Sequence, residues 1–340
     1  MKAEAIQPEQ PKQRDYFFDN AKFILIILVV FSHAITPLIG VSQLARTLYL
    51  LLFSFHMPLF LFASGYFAKK TVAKREMIKP IQKLFVPYLI VQIIYTFFYY
   101  DVYGRELDFS LLEPHWSLWF LLTLFSFYYL VHLFKFSPYF IIAALVIGVA
   151  IGYADITPVF SLARTAVFFP FFLAGYFLER RHLSFLSHPW MKPIATLVIL
   201  ITCVFLYMYA FDIPYELFYG SKSYKELGFD GISAGVYRLC AYVFTVIVSL
   251  AFLALVPAEK QSFSHYATQT LYVYLLHGFL FRYLRETSFY DGIDTVFEIS
   301  LIAVGCIIYA FLLSTPVIKK ITQPILEPFA YFKQNKHRST

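Results

Sequence analysis

The sequence predicts an all-α integral membrane protein with about ten transmembrane helices and both termini in the cytoplasm. Three observations lead there. Of the 340 residues, 59% are hydrophobic and only 14% charged, whereas a soluble domain carries about 25% charge to keep its surface wet. Forty Phe and 27 Tyr point to a chain whose outside is largely lipid. Apolar runs also recur at roughly the 17–25 residues needed to cross the hydrocarbon core. A soluble enzyme, a disordered tail and a collagen-like rod are excluded.

The runs fall at about 22–40, 47–68, 84–102, 116–134, 139–155, 161–178, 194–212, 235–256, 271–287 and 296–316. The fifth and ninth are short or carry charge. With the N-terminus inside, the cytoplasmic segments hold nineteen Lys and Arg and the outer loops five, a clear orientation under the positive-inside rule. The chain then divides into a polar, disordered cytoplasmic segment (1–21), a membrane domain (22–316) and a cytoplasmic tail (317–340). The first run is long for a signal peptide and lacks a small-residue cleavage site, so it is expected to remain as a span. No internal repeat and no soluble domain are found. The net charge of +7 belongs to topology, because no soluble domain gathers it into a nucleic-acid patch. Cys203, Cys240 and Cys306 lie in apolar segments and read as small hydrophobes, with no disulfide or metal site implied.

Charge within the hydrocarbon costs at least about 2.5 kcal/mol, so each such residue is a functional candidate. Lys22 and His33 share the first span. Eleven residues make three helical turns plus about 20°, so both project from one face, about 16 Å apart along the axis. A snorkelling lysine and a hydrogen-bonded core histidine would explain them equally well. The second span carries His56 mid-span, two residues before Pro58, and Ser64-Gly65 further on, where close helix packing is as good an account as ligand binding. The following inside loop has six basic residues against Glu76, either a topology anchor or a phosphate-binding cluster. Trp116 and Trp119, beside Glu113 and His115, suit an interfacial belt or the face of a sugar. Arg164, Arg238, Arg282 and Glu298 sit near the outer ends of spans and suggest a polar cavity opening outwards. His277 is the third histidine inside the membrane, and imidazole moves protons near neutral pH.

At this point the chain resembles the acyltransferase 3 family of integral-membrane O-acyltransferases, in particular the fucose 4-O-acetylase-like subgroup. That family's first span carries Arg, ten residues, then His; here the same place reads Lys22-x10-His33. The change keeps the charge but loses the bidentate fork. FHMPLFLFASGYF, KREMIKPIQKLFVPY, HWSLWFL, FFPFFLAGYFLERR and TLYVYLLHG are similar to later family segments in the same order, so the resemblance covers about 14–316.

The resemblance implies transfer of an acyl group, most often acetyl, from cytoplasmic acyl-CoA to a hydroxyl of a cell-surface carbohydrate or its lipid-linked precursor. The setting is the cell membrane, alongside polysaccharide-synthesis machinery. No permanently bound cofactor and no metal are expected, and acyl-CoA is the donor substrate. Some relatives carry an extra hydrolase-like domain; here the membrane domain, or a separate partner, is expected to serve the acceptor. His33 is the principal catalytic candidate, as base or as acyl carrier, with His56 and His277 to position the thioester or relay a proton. Lys22, Lys69, Lys70, Lys74 and Arg75 would hold the CoA phosphates. Trp116, Trp119, Arg164 and Arg238 would contact the acceptor. The rival reading is a transporter or flippase of a glycan or acylated precursor, which buried charges and an outward cavity also suit.

Overall fold

A computed structural model of the chain describes residues 15–156 and 158–336. Among them every regular element is helical. Ten apolar helices follow one another: α1 (Tyr16–Ala34), α2 (Gln43–Ala73), α3 (Ile78–Tyr103), α4 (Trp119–Leu133), α5 (Phe140–Ala150), α6 (Leu162–Phe177), α7 (Met191–Met208), α8 (Ser233–Leu255), α9 (Thr270–Leu284) and α10 (Val296–Leu313). Each corresponds to one apolar run in the sequence. Eight of these segments are long and apolar enough to cross a membrane; α5 and α9, the fifth and ninth, are the short ones. The bundle turns apolar side chains such as Ile142, Val146, Ile201, Val204, Val243 and Ile308 outward, as a lipid-facing surface does.

Several boundaries move. The first helix starts at Tyr16, so residues 16–21 belong to it and are not a disordered segment; residues 1–14 lie outside the described residues. The helix starts early because its first turns are buried: Phe17, Phe18 and Ala21 enter the core, and Asn20 is a clamp. The Asn20 amide donates to the carbonyls of Pro257 and Glu259 at 2.9 and 2.8 Å and accepts from the Ser264 hydroxyl at 2.6 Å. The tail contains two further helices, α11 (Pro316–Leu326) and α12 (Pro328–Lys336). Their junction is tied to α9 by the Tyr272 hydroxyl, which donates to the Glu327 carboxylate. Glu298 closes a capping box with Thr295 at the start of α10, a role that needs no ligand.

Two devices set the helix packing around the site. Pro58 cannot donate to the carbonyl of Ser54 four residues earlier; the Thr245 hydroxyl of α8 donates to that carbonyl instead, at 2.7 Å. α2 therefore continues unbroken for 31 residues. α2 and α6 cross with backbones in close approach. A Cβ on Gly65 would strike the carbonyl of Phe172, and a Cβ on Gly175 would strike the carbonyl of Phe62. The two segments read Phe62-x-x-Gly65-Tyr66-Phe67 and Phe172-x-x-Gly175-Tyr176-Phe177. A local hexapeptide pattern thus occurs twice, and its two copies pack on each other. Close packing accounts for Gly65, so no ligand is needed there.

Candidate active site

The end of the bundle where α1 finishes and α2 begins encloses a cavity of about 220 Å³. His33, from the last turn of α1, lines it together with Tyr49, Phe53 and Met57 of α2. Trp116 and Trp119 enter at the start of α4, Arg164 at the start of α6, and Arg282 and Arg285 at the end of α9. The long loop after α7 contributes Phe218 and Tyr219, and the hydroxyls of Tyr49 and Tyr219 meet at 2.5 Å.

The three histidines lie in one neighbourhood with different exposures. The His33 and His277 rings are 5.4 Å apart between centroids, and Trp116 packs against both, at 4.5 and 5.3 Å. His277 is fully buried, and so is His56, which reaches the site through Phe53: that ring stands edge-on to His56 and to His33. The Nδ1 atoms of His277 and His56 bond to the carbonyls of Val273 and Leu52 at 2.9 and 2.5 Å. A carbonyl only accepts, so each Nδ1 carries a proton, and in the neutral ring each Nε2 is left as an acceptor. Among the described residues, neither Nε2 has a hydrogen-bond partner. Among these three, His33 is thus the imidazole that lines the cavity, with the buried His277 imidazole next to it.

Trp116 is held in place from both sides. Its backbone is left-handed, with φ of +45°, a conformation that costs a non-glycine residue about 1 kcal/mol or more. Gly278 makes room for the ring, since a Cβ there would collide with the Trp116 indole and the Tyr95 hydroxyl. This explains why glycine follows histidine in TLYVYLLHG. The loop leading to Trp116 is pinned by Gln92 of α3, which the sequence reading missed. The Gln92 amide donates to the Ser110 and Glu113 carbonyls at 3.0 and 2.8 Å, and its oxygen accepts from the His115 N–H at 2.9 Å. A glutamine inside VPYLIVQIIYTFF was the signal available. His115 also pairs through Nε2 with the Thr96 hydroxyl at 3.2 Å, and burial lowers its pKa, favouring the neutral ring.

Of the predicted acceptor contacts, Trp116, Trp119 and Arg164 line the cavity; Arg238 does not. The Arg238 side chain is buried in α8, and its Nη1 donates to the Leu217 carbonyl at 2.5 Å. It holds the segment that carries Phe218 and Tyr219, one step removed from the cavity. Arg285, which the sequence analysis did not single out, does line the cavity. Its Nη2 donates to the His33 carbonyl at 3.4 Å.

The opposite end of the bundle holds a second cavity of about 160 Å³, lined by Lys22, Ser64, Phe120, Thr270 and Tyr274 among others. Lys22 pairs with Asp19 at 3.1 Å and lies 4.6 Å above the Phe67 ring. The predicted basic loop stands outside this cavity. The Lys69 ammonium donates to the Leu178 carbonyl at the end of α6, whereas Lys70, Lys74 and Arg75 are exposed. Met57 lines both cavities. Beside it the Tyr274 hydroxyl donates to the carbonyl of Ser117, the first residue lining the inner space and the second the outer.

A family model described as an acyltransferase domain matches residues 15–317, nearly the whole described chain. The chain belongs to the acyltransferase 3 family. Among curated members of known proteins, nodulation protein NolL of Sinorhizobium fredii (strain NBRC 101917 / NGR234) is 27% identical over 331 residues, spanning 87% of this chain and 86% of that one. No solved structure matches the chain. Within the acyltransferase 3 match fall both cavities, all three buried or cavity-lining histidines and the α2–α6 glycine crossing.

Proposed function

We propose that this chain is a multi-pass O-acyltransferase of the cell membrane. It moves an acyl group, most simply acetyl, from cytoplasmic acyl-CoA to a hydroxyl of a cell-surface carbohydrate or its lipid-linked precursor. The observation that carries this reading is the pair of cavities, one at each end of the bundle, that share Met57. In a member of an acyltransferase family, that arrangement suits a donor and an acceptor that meet within the protein.

On this reading the CoA phosphates lie near Lys22 and the exposed basic residues Lys70, Lys74 and Arg75. Lys69, already bound to a carbonyl, serves them less. The thioester arm enters past Met57, and the sugar lies against Trp116 and Trp119, whose flat faces suit a pyranose. His33 takes the proton from the attacking hydroxyl as its oxygen bonds to the thioester carbonyl. The tetrahedral intermediate collapses with cleavage of the carbon–sulfur bond, and the proton passes from His33 to the CoA thiolate. The guanidinium groups in the cavity favour the transient oxyanion. His277, next to His33, stabilises its protonated form by accepting a hydrogen bond directly or through one water.

The test is CoA release from acetyl-CoA by detergent-purified full-length protein, with longer acyl-CoAs as further donors. Saturable release that disappears in His33→Ala is expected. A protein that consumes no acyl-CoA but carries a glycan across sealed vesicles would overturn the reading in favour of a transporter.

A further inference from the structure

Arg164, Arg282 and Arg285 converge on the outer cavity from two helices. The Nε of each is buried and, among the described residues, has no hydrogen-bond partner. Arg285 donates from Nη2 to the His33 carbonyl at 3.4 Å, and the other two lie over ring faces: Arg164 is 5.0 Å above Trp119, and Arg282 is 5.5 and 5.4 Å from the Tyr99 and Trp116 rings. Such contacts stabilise a cation by about 0.5–2 kcal/mol and leave its charge uncompensated. Among the described residues, no Asp or Glu lines the cavity. Among the described residues, no ion pair reaches any of the three.

Three half-buried guanidinium groups facing one cavity, with no counter-charge among the described residues, are costly by the standard of buried ions. A structural role for them would be served better by a nearby carboxylate, as Asp19 serves Lys22 at 3.1 Å. One developing oxyanion during acyl transfer does not require three full positive charges. The arrangement fits a resident negative charge, and guanidinium is the side chain best matched to carboxylate or phosphate oxygens. The outer cavity holds His33 and the two indoles beside these arginines, so the charge and the reacting hydroxyl belong to one molecule.

We infer that Arg164, Arg282 and Arg285 form a cradle for an oxyanion carried by the acceptor, which makes the acceptor an anionic glycan. The anion is either a sugar carboxylate or a phosphate ester on the sugar. The inference rests on the reading of this cavity as the acceptor site. It predicts that the acceptor binds without donor, and that its binding weakens with salt.

The cavity contains its own reporter. Trp116 and Trp119 line it, and the third tryptophan of the chain, Trp190, is 70% exposed at the start of α7. In full-length Trp190→Phe protein without acyl-CoA, indole fluorescence is titrated with glucose, glucuronate and glucose 1-phosphate at constant ionic strength. At least one anionic sugar is expected to bind about tenfold or more tightly than glucose, a gap of about 1.4 kcal/mol. Preference for glucuronate assigns the anion as carboxylate, and preference for glucose 1-phosphate assigns it as phosphate. Arg164→Gln and Arg282→Gln are each expected to remove most of that preference, and Arg282→Lys to keep part of it. Should the Gln variants fail to fold, raising salt on the parent decides: anion binding falls several-fold while glucose binding stays level. Equal binding of glucose and both anions overturns the inference, as does anion binding unchanged in folded Gln variants. Competition by CoA at equal affinity overturns the assignment to the acceptor. CoA release from acetyl-CoA is followed in the same preparation. Its absence with anion binding intact counts against the acyltransferase reading alone, and the reverse pattern counts against the cradle alone.

Discussion

His33 and His277 present their rings 5.4 Å apart and 32° from parallel, one lining the outer cavity and the other sealed behind it. The bond from His277 Nδ1 to the Val273 carbonyl fixes the tautomer of the neutral ring, in which Nε2 accepts and does not donate. The two substitutions should therefore separate. His33→Ala should lower turnover by about 10²- to 10⁴-fold, the usual worth of a general base. His277→Gln should lower kcat by about tenfold or more while leaving KM for acetyl-CoA unchanged, as the proposed role on the proton rather than the donor requires. Equal losses in kcat and in donor affinity for His277→Gln would remove it from the proton path.

Gly278 is the space in which the Trp116 ring rests. Gly278→Ala should displace that ring, because the alternative is a collision with the Tyr95 hydroxyl as well. The expected cost is about 1–3 kcal/mol of stability, as for other overpacked sites, together with a red-shifted indole emission and loss of acyl transfer. Wild-type emission with wild-type activity in the Ala variant would show that Trp116 owes its position to the loop alone.

The ten helices were legible because their signal is additive: long apolar runs between charged loops survive errors of several residues. The start of α1 was not, because Tyr16-Phe-Phe-Asp-Asn-Ala reads as polar and aromatic while its polarity is spent internally, on Asn20's three hydrogen bonds. His33 was legible as an imidazole inside a span, and Trp116, Trp119 and Arg164 as aromatic or charged residues at span ends. Which of the similar arginines met them was not: Arg238 and Arg282 look alike in sequence, yet a carbonyl on the neighbouring loop claims Arg238. Gln92 was passed over because one amide in an apolar helix carries no charge, although its geometry organises the Trp116 loop.

Gln92 supplies the next test. Gln92→Leu is nearly the same size and leaves two carbonyls and one N–H of the 110–115 loop without their partner. Where these stay buried, the loss should be about 1–3 kcal/mol for each unsatisfied group that water cannot reach. Hydrogen exchange at His115 should accelerate, since its N–H is the donor to Gln92 at 2.9 Å. Acyl transfer should fall with unchanged membrane insertion. Unaltered exchange at His115 would assign the loop's order to Thr96 and Tyr88, which hold it at Asp108 and Leu111.

The reciprocal glycines make a prediction about coupling. Gly65 faces the Phe172 carbonyl of α6, and Gly175 faces the Phe62 carbonyl of α2, so one added methyl already forces the two helices apart. Each single substitution to Ala should cost about 1–3 kcal/mol in detergent unfolding, as overpacking does. The second methyl then enters a gap the first has opened, so the double variant should be less destabilised than the sum of the singles. For neighbours sharing one contact, the discrepancy is expected to exceed about 0.5 kcal/mol. The same separation would move α2, which carries Tyr49, Phe53 and Met57 into the outer cavity, so transfer should fall in parallel with stability. Strict additivity with full activity would mean that α2 and α6 yield independently at the two crossings, and that the glycines do not set the spacing of the site.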